Sequence, residues 1–203
     1  MEEQKLQYLE KIGYAFMTNG IKSMTMDDIS KMLNISKKTL YKYFKDKDDI
    51  VCTLMKMDCE QDKCEFENAF ETASNAIEEI RKTTEIVSEK LKEINPSVMY
   101  DLEKYHPNAW EIFNVHKRVE IFQSFKNNLE RGISEGLYRE SLNTDIIAKL
   151  FSEKIELVLN TQLFPIKEYK FEKVYQEMIS YHLKGIVSEK GYDYLINNKV
   201  KID

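Results

Sequence analysis

The chain has 203 residues, 42% of them hydrophobic and 32% charged, with a formal net charge of −5. That length supports one or two compact domains with a real core, and the overall acidity excludes a protein that clings to nucleic acid over its whole surface. No apolar run approaches the roughly 18 residues of a membrane span, and the opening Met1-Glu2-Glu3-Gln4 has neither the basic nor the apolar region of a secretory signal. A cytoplasmic protein without a membrane partner is the expectation. Glycine and proline are scarce, with no glycine between Gly20 and Gly132, and helix is the only strong periodic signal. The fold class is therefore all-α: an N-terminal group of three helices followed by a larger helical body.

In chain order, the first helix carries Leu6, Leu9, Ile12 and Phe16 on one face and closes at Gly20, a residue free to adopt left-handed backbone. Thr25 stands as a hydroxyl cap before Met26, Ile29, Met32 and Leu33. Asp27 and Asp28 place negative charge in the first turn, where the helix dipole favours it. Asn34 accepts the left-handed backbone of a sharp turn, and Ser36 caps the next helix. At 100° per residue, Leu40 and Phe44 fall within about 40° of each other and form its inward stripe. Tyr41, Lys45, Lys38 and Lys42 lie between about 100° and 200° away and make an outward face that is cationic and aromatic. Asp46 caps a fourth helix, with Asp48 and Asp49 in its first turn and Ile50, Val51, Leu54 and Met57 along its apolar side.

The positive charge is local. Lys31 to Lys47 contains six lysines and one acid, whereas residues 51–203 hold 21 basic and 27 acidic side chains. A confined basic patch on an acidic protein is what attraction to phosphates requires. The segment from about Lys5 to Leu54 resembles the DNA-binding domain of TetR-type transcriptional regulators. The resemblance rests on the glycine-ended first helix, the Thr-capped second, the turn into Ser36, the run Thr39-Leu40-Tyr41-Lys42-Tyr43-Phe44, and Lys47 opening the fourth helix. It implies that the helix begun at Ser36 enters the major groove of an operator, with Thr25, Tyr43 and Lys47 on phosphates and Lys37, Lys38, Thr39 and Tyr41 near base edges; Ser36 and Lys42 complete that surface. The chain departs from the family where glycines are common, carrying Asn34 and Lys38 instead.

Between Asp46 and Phe70 no flexible linker is visible, and the division expected is a DNA-binding domain at 1–47 and a regulatory and dimerisation domain at 48–203. Cys52, Cys59 and Cys64 are spaced unlike the short pairs of zinc sites and are read as plain thiols. Ala73 to Ile94 reads as an amphipathic helix stopped by Pro96, and Pro107 marks the next break. Around these prolines lies the densest aromatic cluster of the body, from which Tyr100, Trp110, Phe113 and His116 are candidate walls of an effector cavity. His106 and His116 lack the spacing of a metal pair. After Gly132 and Gly136, a helix starts at Asn143 or Thr144 and is expected to run to Pro165. A last one carries Phe171, Val174, Tyr175, Met178, Ile179, His182, Leu183 and Ile186.

The resemblance implies that this final pair builds a four-helix bundle with a second copy, placing Phe151, Ile155, Val158, Val174, Tyr175, Met178 and His182 at a homodimer interface. It also implies repression of a palindromic operator, relieved by a small-molecule effector. Two rivals stand beside it. An enzyme is disfavoured because there is no glycine-rich phosphate loop, no nucleophile elbow and no HExxH sequence; neither metal nor cofactor is expected. A helical adaptor that has lost DNA recognition fits the overall acidity but not the local basic patch.

Overall fold

The computed structural model describes residues 2–198. Among these it contains eleven α-helices and no strand: α1 (Glu2–Asn19), α2 (Met26–Met32), α3 (Lys37–Tyr43), α4 (Lys47–Thr72), α5 (Ala76–Glu93), α6 (Ser97–Tyr105), α7 (Pro107–His116), α8 (Phe122–Ser134), α9 (Thr144–Val158), α10 (Phe171–Ile186) and α11 (Glu189–Asn197). A π-helical turn, Lys117–Ile121, joins α7 to α8. The fold is all-α, as the periodicity indicates.

The helices gather into two compact units. One holds the residues up to Glu60 together with Glu93–Asn114; the other holds Gln61–Lys92 and the residues from Val115 on. Packing thus divides the chain differently from the linear boundary at 47/48. Helices α6 and most of α7, which lie far along the sequence, join the amino-terminal helices. Helix α4 is continuous and contributes to both units.

Local chemistry explains where the elements start and stop. Gly20 closes α1 at φ +83°, and a Cβ there would lie 2.4 Å from the Ser97 hydroxyl, so the position excludes every side chain on two counts. Asp46 accepts the Asp49 N–H at 2.8 Å and caps α4. Asn75 accepts the N–H groups of Ile77 and Glu78 at 3.0 Å, which starts α5 later than the expected Ala73. Pro96 stands just before α6 and Pro107 opens α7, both tolerated where a helix has no N–H to offer. Helix α9 ends at Val158, well before Pro165, because Asn160 captures the N–H groups of Gln162 and Leu163 in a turn. Helix α11, capped by Ser188, and the π-helical turn are elements that the sequence pattern does not announce.

In the first unit the core is Leu9, Ile12, Phe16, Ile29, Leu40, Phe44 and Ile50, all buried. In the second it includes Ala76, Ile77, Phe125, Leu129, Tyr138, Phe151, Ile179 and Leu183. A polar clamp frames it. Arg131 donates to the Phe70 and Ala73 carbonyls at 3.1 and 2.8 Å, closing the end of α4, and reaches Glu79 and Glu135. Glu135 in turn accepts the Ala76 N–H at 2.8 Å.

The expected interface stripe of α9 and α10 lies largely inside its own chain. Phe151, Val158, Tyr175 and His182 are buried in this core, with Ile155, Val174 and Met178 packed against it. Periodicity identifies a face that seeks burial but not the partner that covers it, and here the partner is intramolecular. Phe125 and Phe151 stack 3.8 Å apart, and the His182 ring meets both edge-on at 5.0 and 5.1 Å.

His182 therefore sits in apolar surroundings, where burial, reinforced by the charge of Lys154, lowers its pKa from 6.5 to about 4. The unfolded chain takes up a proton below about pH 6.5 that the folded chain refuses until about pH 4, so stability falls as pH drops through that window. Denaturant unfolding should show a loss of about 2 kcal/mol between pH 7.5 and pH 5 attributable to this group. That part should vanish in His182→Leu.

Candidate nucleic-acid interface

The reading device is assembled from caps. The Thr25 hydroxyl accepts the Asp28 N–H at 3.2 Å while the Asp28 carboxylate accepts the Thr25 N–H at 2.9 Å, a reciprocal box that fixes the start of α2. Asn34 takes φ +54°, the sharp turn that its side chain permits. The Ser36 hydroxyl then accepts the Thr39 N–H at 3.0 Å and launches α3. Leu40 and Phe44 are buried, as their spacing predicts, although α3 ends at Tyr43 and Phe44 is already extended, at φ −134° and ψ 132°. Its burial comes from the turn of the backbone and not from helical phase. The same holds for Lys45 on the outer side.

On the exposed face stand Lys37, Lys38, Tyr41 and Lys42, with Thr39 half-buried beside them. Lys37 is ion-paired with Asp27 of α2, whereas Lys38, Lys42 and Lys45 have no carboxylate partner among the described residues. Tyr41 is 52% exposed and offers its ring and hydroxyl outward. The remaining candidates are more constrained. Tyr43 packs edge-on against Tyr8 with ring centres 5.2 Å apart. The half-buried Lys47 ammonium lies 5.9 Å from the Phe16 ring centre, and its burial lowers its pKa while Asp101 opposes that shift. Thr25 is exposed, but its hydroxyl is engaged by Asp28 at 2.6 Å.

Sequence reasoning missed the residues that hold this device in place. Asp48, in the first turn of α4, accepts Asn108 Nδ2 at 2.9 Å and lies 3.0 Å from His106 Nδ1; these two partners, Asn108 first, keep its carboxyl below the usual range. The buried Asp101 of α6 accepts the main-chain N–H of Lys22, in the turn that enters α2, at 2.8 Å. Asn95 donates its own N–H to Met17 and its side chain to Thr18, at 2.7 and 3.0 Å. One segment, Asn95–Asn108, thus grips the end of α1, the entry to α2 and the start of α4. The only advance signal was its pair of prolines.

Of the effector candidates, Tyr100, Trp110 and Phe113 belong to the first unit and His116 to the second. Tyr100 is 44% exposed and faces Tyr105. Trp110 and Phe113 are half-buried with ring centres 5.4 Å apart. His116 is buried in the second unit, its Nε2 3.7 Å from Asp62 Oδ2. Asp62 is itself paired with Lys90 at 2.5 Å. Cys52, Cys59 and Cys64 are not joined in a disulfide, and no metal-holding cluster occurs among the described residues.

Residues 15–52 match the model of the bacterial regulatory proteins of the tetR family. The helix-turn-helix segment is thus similar to that of the tetR family. Over 175 residues it is 22% identical to an uncharacterized HTH-type transcriptional regulator, YvaF, of Bacillus subtilis (strain 168), covering 84% of this chain and 90% of that protein. Its fold is similar to that of a transcriptional regulator from Saccharomonospora viridis solved in complex with choline, with a TM-score of 0.76, 16% identity, and 93% and 100% of the two chains covered. It is also similar to SmeT, the repressor of the Stenotrophomonas maltophilia multidrug efflux pump SmeDEF, with a TM-score of 0.72, 15% identity and 91% of each chain covered. No described helix is long and apolar enough to cross a membrane.

Removing the buried carboxylate of Asp101 leaves the Lys22 main-chain N–H without its acceptor. Asp101→Ala should cost about 2 kcal/mol in denaturant unfolding and should raise amide exchange at Lys22.

Proposed function

We propose that the protein is a cytoplasmic repressor that binds a palindromic operator as a homodimer and leaves it when a small-molecule effector occupies the helical body. The observation that carries this reading is the two-faced helix α3, with Leu40 buried beneath it and Lys38, Tyr41 and Lys42 exposed above. In this reading Lys37, Lys38, Thr39 and Tyr41 meet base edges, while Thr25, Ser36, Lys42, Tyr43 and Lys47 meet the backbone.

Two reading helices must stand about 34 to 36 Å apart to read successive major grooves, which calls for a paired molecule. Support for pairing comes from the outer faces of α9 and α10. Ile146, Leu150 and Leu157 lie in line on α9 and are 53%, 53% and 50% exposed. On α10 Tyr181 is 72% exposed and Gly185, one turn on, has open space around it, where a partner helix can approach closely. The half-buried Val174 and Met178 share that line, so the proposed interface keeps these two residues and exchanges the buried Phe151, Tyr175 and His182 for the outer stripe.

For the effector, the choline bound to the Saccharomonospora viridis regulator and the repressor role of SmeT support ligand-released repression. The seat proposed is the polar interior of the second unit beside His116, Asp62 and Tyr175, whose hydroxyl pKa burial pushes up. A ligand favouring one arrangement of the body shifts DNA affinity by its differential binding, typically about 1 to 3 kcal/mol.

A titration of the protein against duplexes from its own upstream region, repeated across salt, tests the core of this reading. Log affinity should fall steeply with log salt, with about −0.9 of slope for each neutralised phosphate. Lys38→Ala and Tyr41→Ala should each change the preferred sequence, at about 1 to 3 kcal/mol, while Lys47→Ala should weaken all sequences alike. No specific shift on any duplex would overturn it. Leu150→Glu should produce monomers in analytical ultracentrifugation with the helical spectrum retained; an unaltered dimer would exclude the outer stripe as the interface.

A further inference from the structure

Most ion-paired lysines in this protein are neutralised where they are held: Lys37, Lys63, Lys90, Lys92, Lys117 and Lys149 all meet carboxylates. Lys22 and Lys104 are held differently. The Lys22 ammonium donates to the Tyr105 hydroxyl at 2.7 Å and sits 4.4 Å from the centre of the same ring. The Lys104 ammonium donates to the Tyr100 hydroxyl at 2.5 Å and lies 5.0 and 5.5 Å from the Tyr100 and Tyr105 ring centres. Neither ammonium has a carboxylate partner among the described residues, since Asp101 is buried and engaged with the main-chain N–H of Lys22.

A phenol fixes an ammonium without cancelling its charge. The result is an exposed pair of oriented cations whose ordering cost is already met in the free protein. The Tyr105 hydroxyl registers the field: the Lys22 hydrogen bond first, with Lys104 adding to it, lowers its pKa. A potential that favours a phenolate favours any other oxyanion at the same place. Both lysines belong to the unit that contains the reading helices, and Lys22 lies in the turn just ahead of Thr25.

We propose that Lys22 and Lys104, oriented by Tyr105 and Tyr100, form a second phosphate-binding patch that takes the backbone of the bound duplex outside the region met by α3. A phosphate there touches the entry to α2 and the end of α6 together, so DNA itself fastens α6 to the reading head. The patch rests on the reading of this protein as a DNA-binding regulator and extends its footprint to a segment remote in sequence.

The test is anisotropy of the full-length protein on a duplex it binds, from about 50 to about 200 mM salt, for the unaltered chain, the Lys22→Gln/Lys104→Gln double variant and Tyr105→Phe. The double variant should lose about 0.9 of slope for each phosphate released, with its thermal midpoint kept. Tyr105→Phe retains both charges and should weaken binding with little change of slope. A double variant that binds more weakly at an unchanged slope would show a purely structural role and overturn the patch, as would one that binds like the unaltered protein. Protection of the patch by inorganic phosphate with no change in DNA slope would also overturn it, assigning the site to a free anion. Failure of the unaltered protein to bind any duplex would instead remove the DNA-binding reading itself.

Discussion

The carboxylate of Asp48 is the joint on which the amino-terminal unit depends. It lies in the first turn of α4, directly after the reading helix, and is held by His106 and Asn108 from the junction of α6 and α7. With Asp101 on the Lys22 N–H and Asn95 on the end of α1, these bonds tie the entry and the exit of the helix-turn-helix to one later segment. Individually each contributes about 1 to 2 kcal/mol, but together they leave the head no way to pivot without breaking several at once. Helix α4 itself runs without a break from Lys47 to Thr72 and contributes residues to both units.

What could be read from the sequence was whatever depends on near neighbours. Thr25, Asn34, Ser36, Asp46 and Gly20 act within a turn of their own positions, so residue type was enough to place them. The burial of Leu40 follows from spacing alone. What remained hidden depends on distant parts of the chain. Nothing near Asp48 indicates that residues 58 to 60 positions later will hold it. The amphipathic stripe of α10 was visible, yet whether it faces a second molecule or its own core is decided by α8 and α9. The extended backbone at Phe44 and the short helix after Ser188 escaped for a related reason: in each, tertiary packing overrides a weak local preference.

Charge is arranged differently in the two units. On the head, Asp28 and Asp46 serve in caps and Asp27 pairs with Lys37, which leaves Lys38, Lys42 and Lys45 available to a polyanion. In the second unit several charges answer one another: Arg131 is shared between Glu79 and Glu135, Lys90 bridges Asp62 and Glu65, and the buried Lys117 reaches Glu153 and Glu156. Burial raises the Glu79 pKa, and Arg131 counters it. A polar interior of this kind fixes helix register at some cost in stability compared with an apolar one.

Helix α9 is apolar on two opposite sides, and only the inner side is occupied by its own chain. The outer residues Ile146, Leu150 and Leu157 therefore carry no duty in folding the monomer. In the proposed dimer, substitution at these few positions would change which chains can pair while every core contact stays as it is.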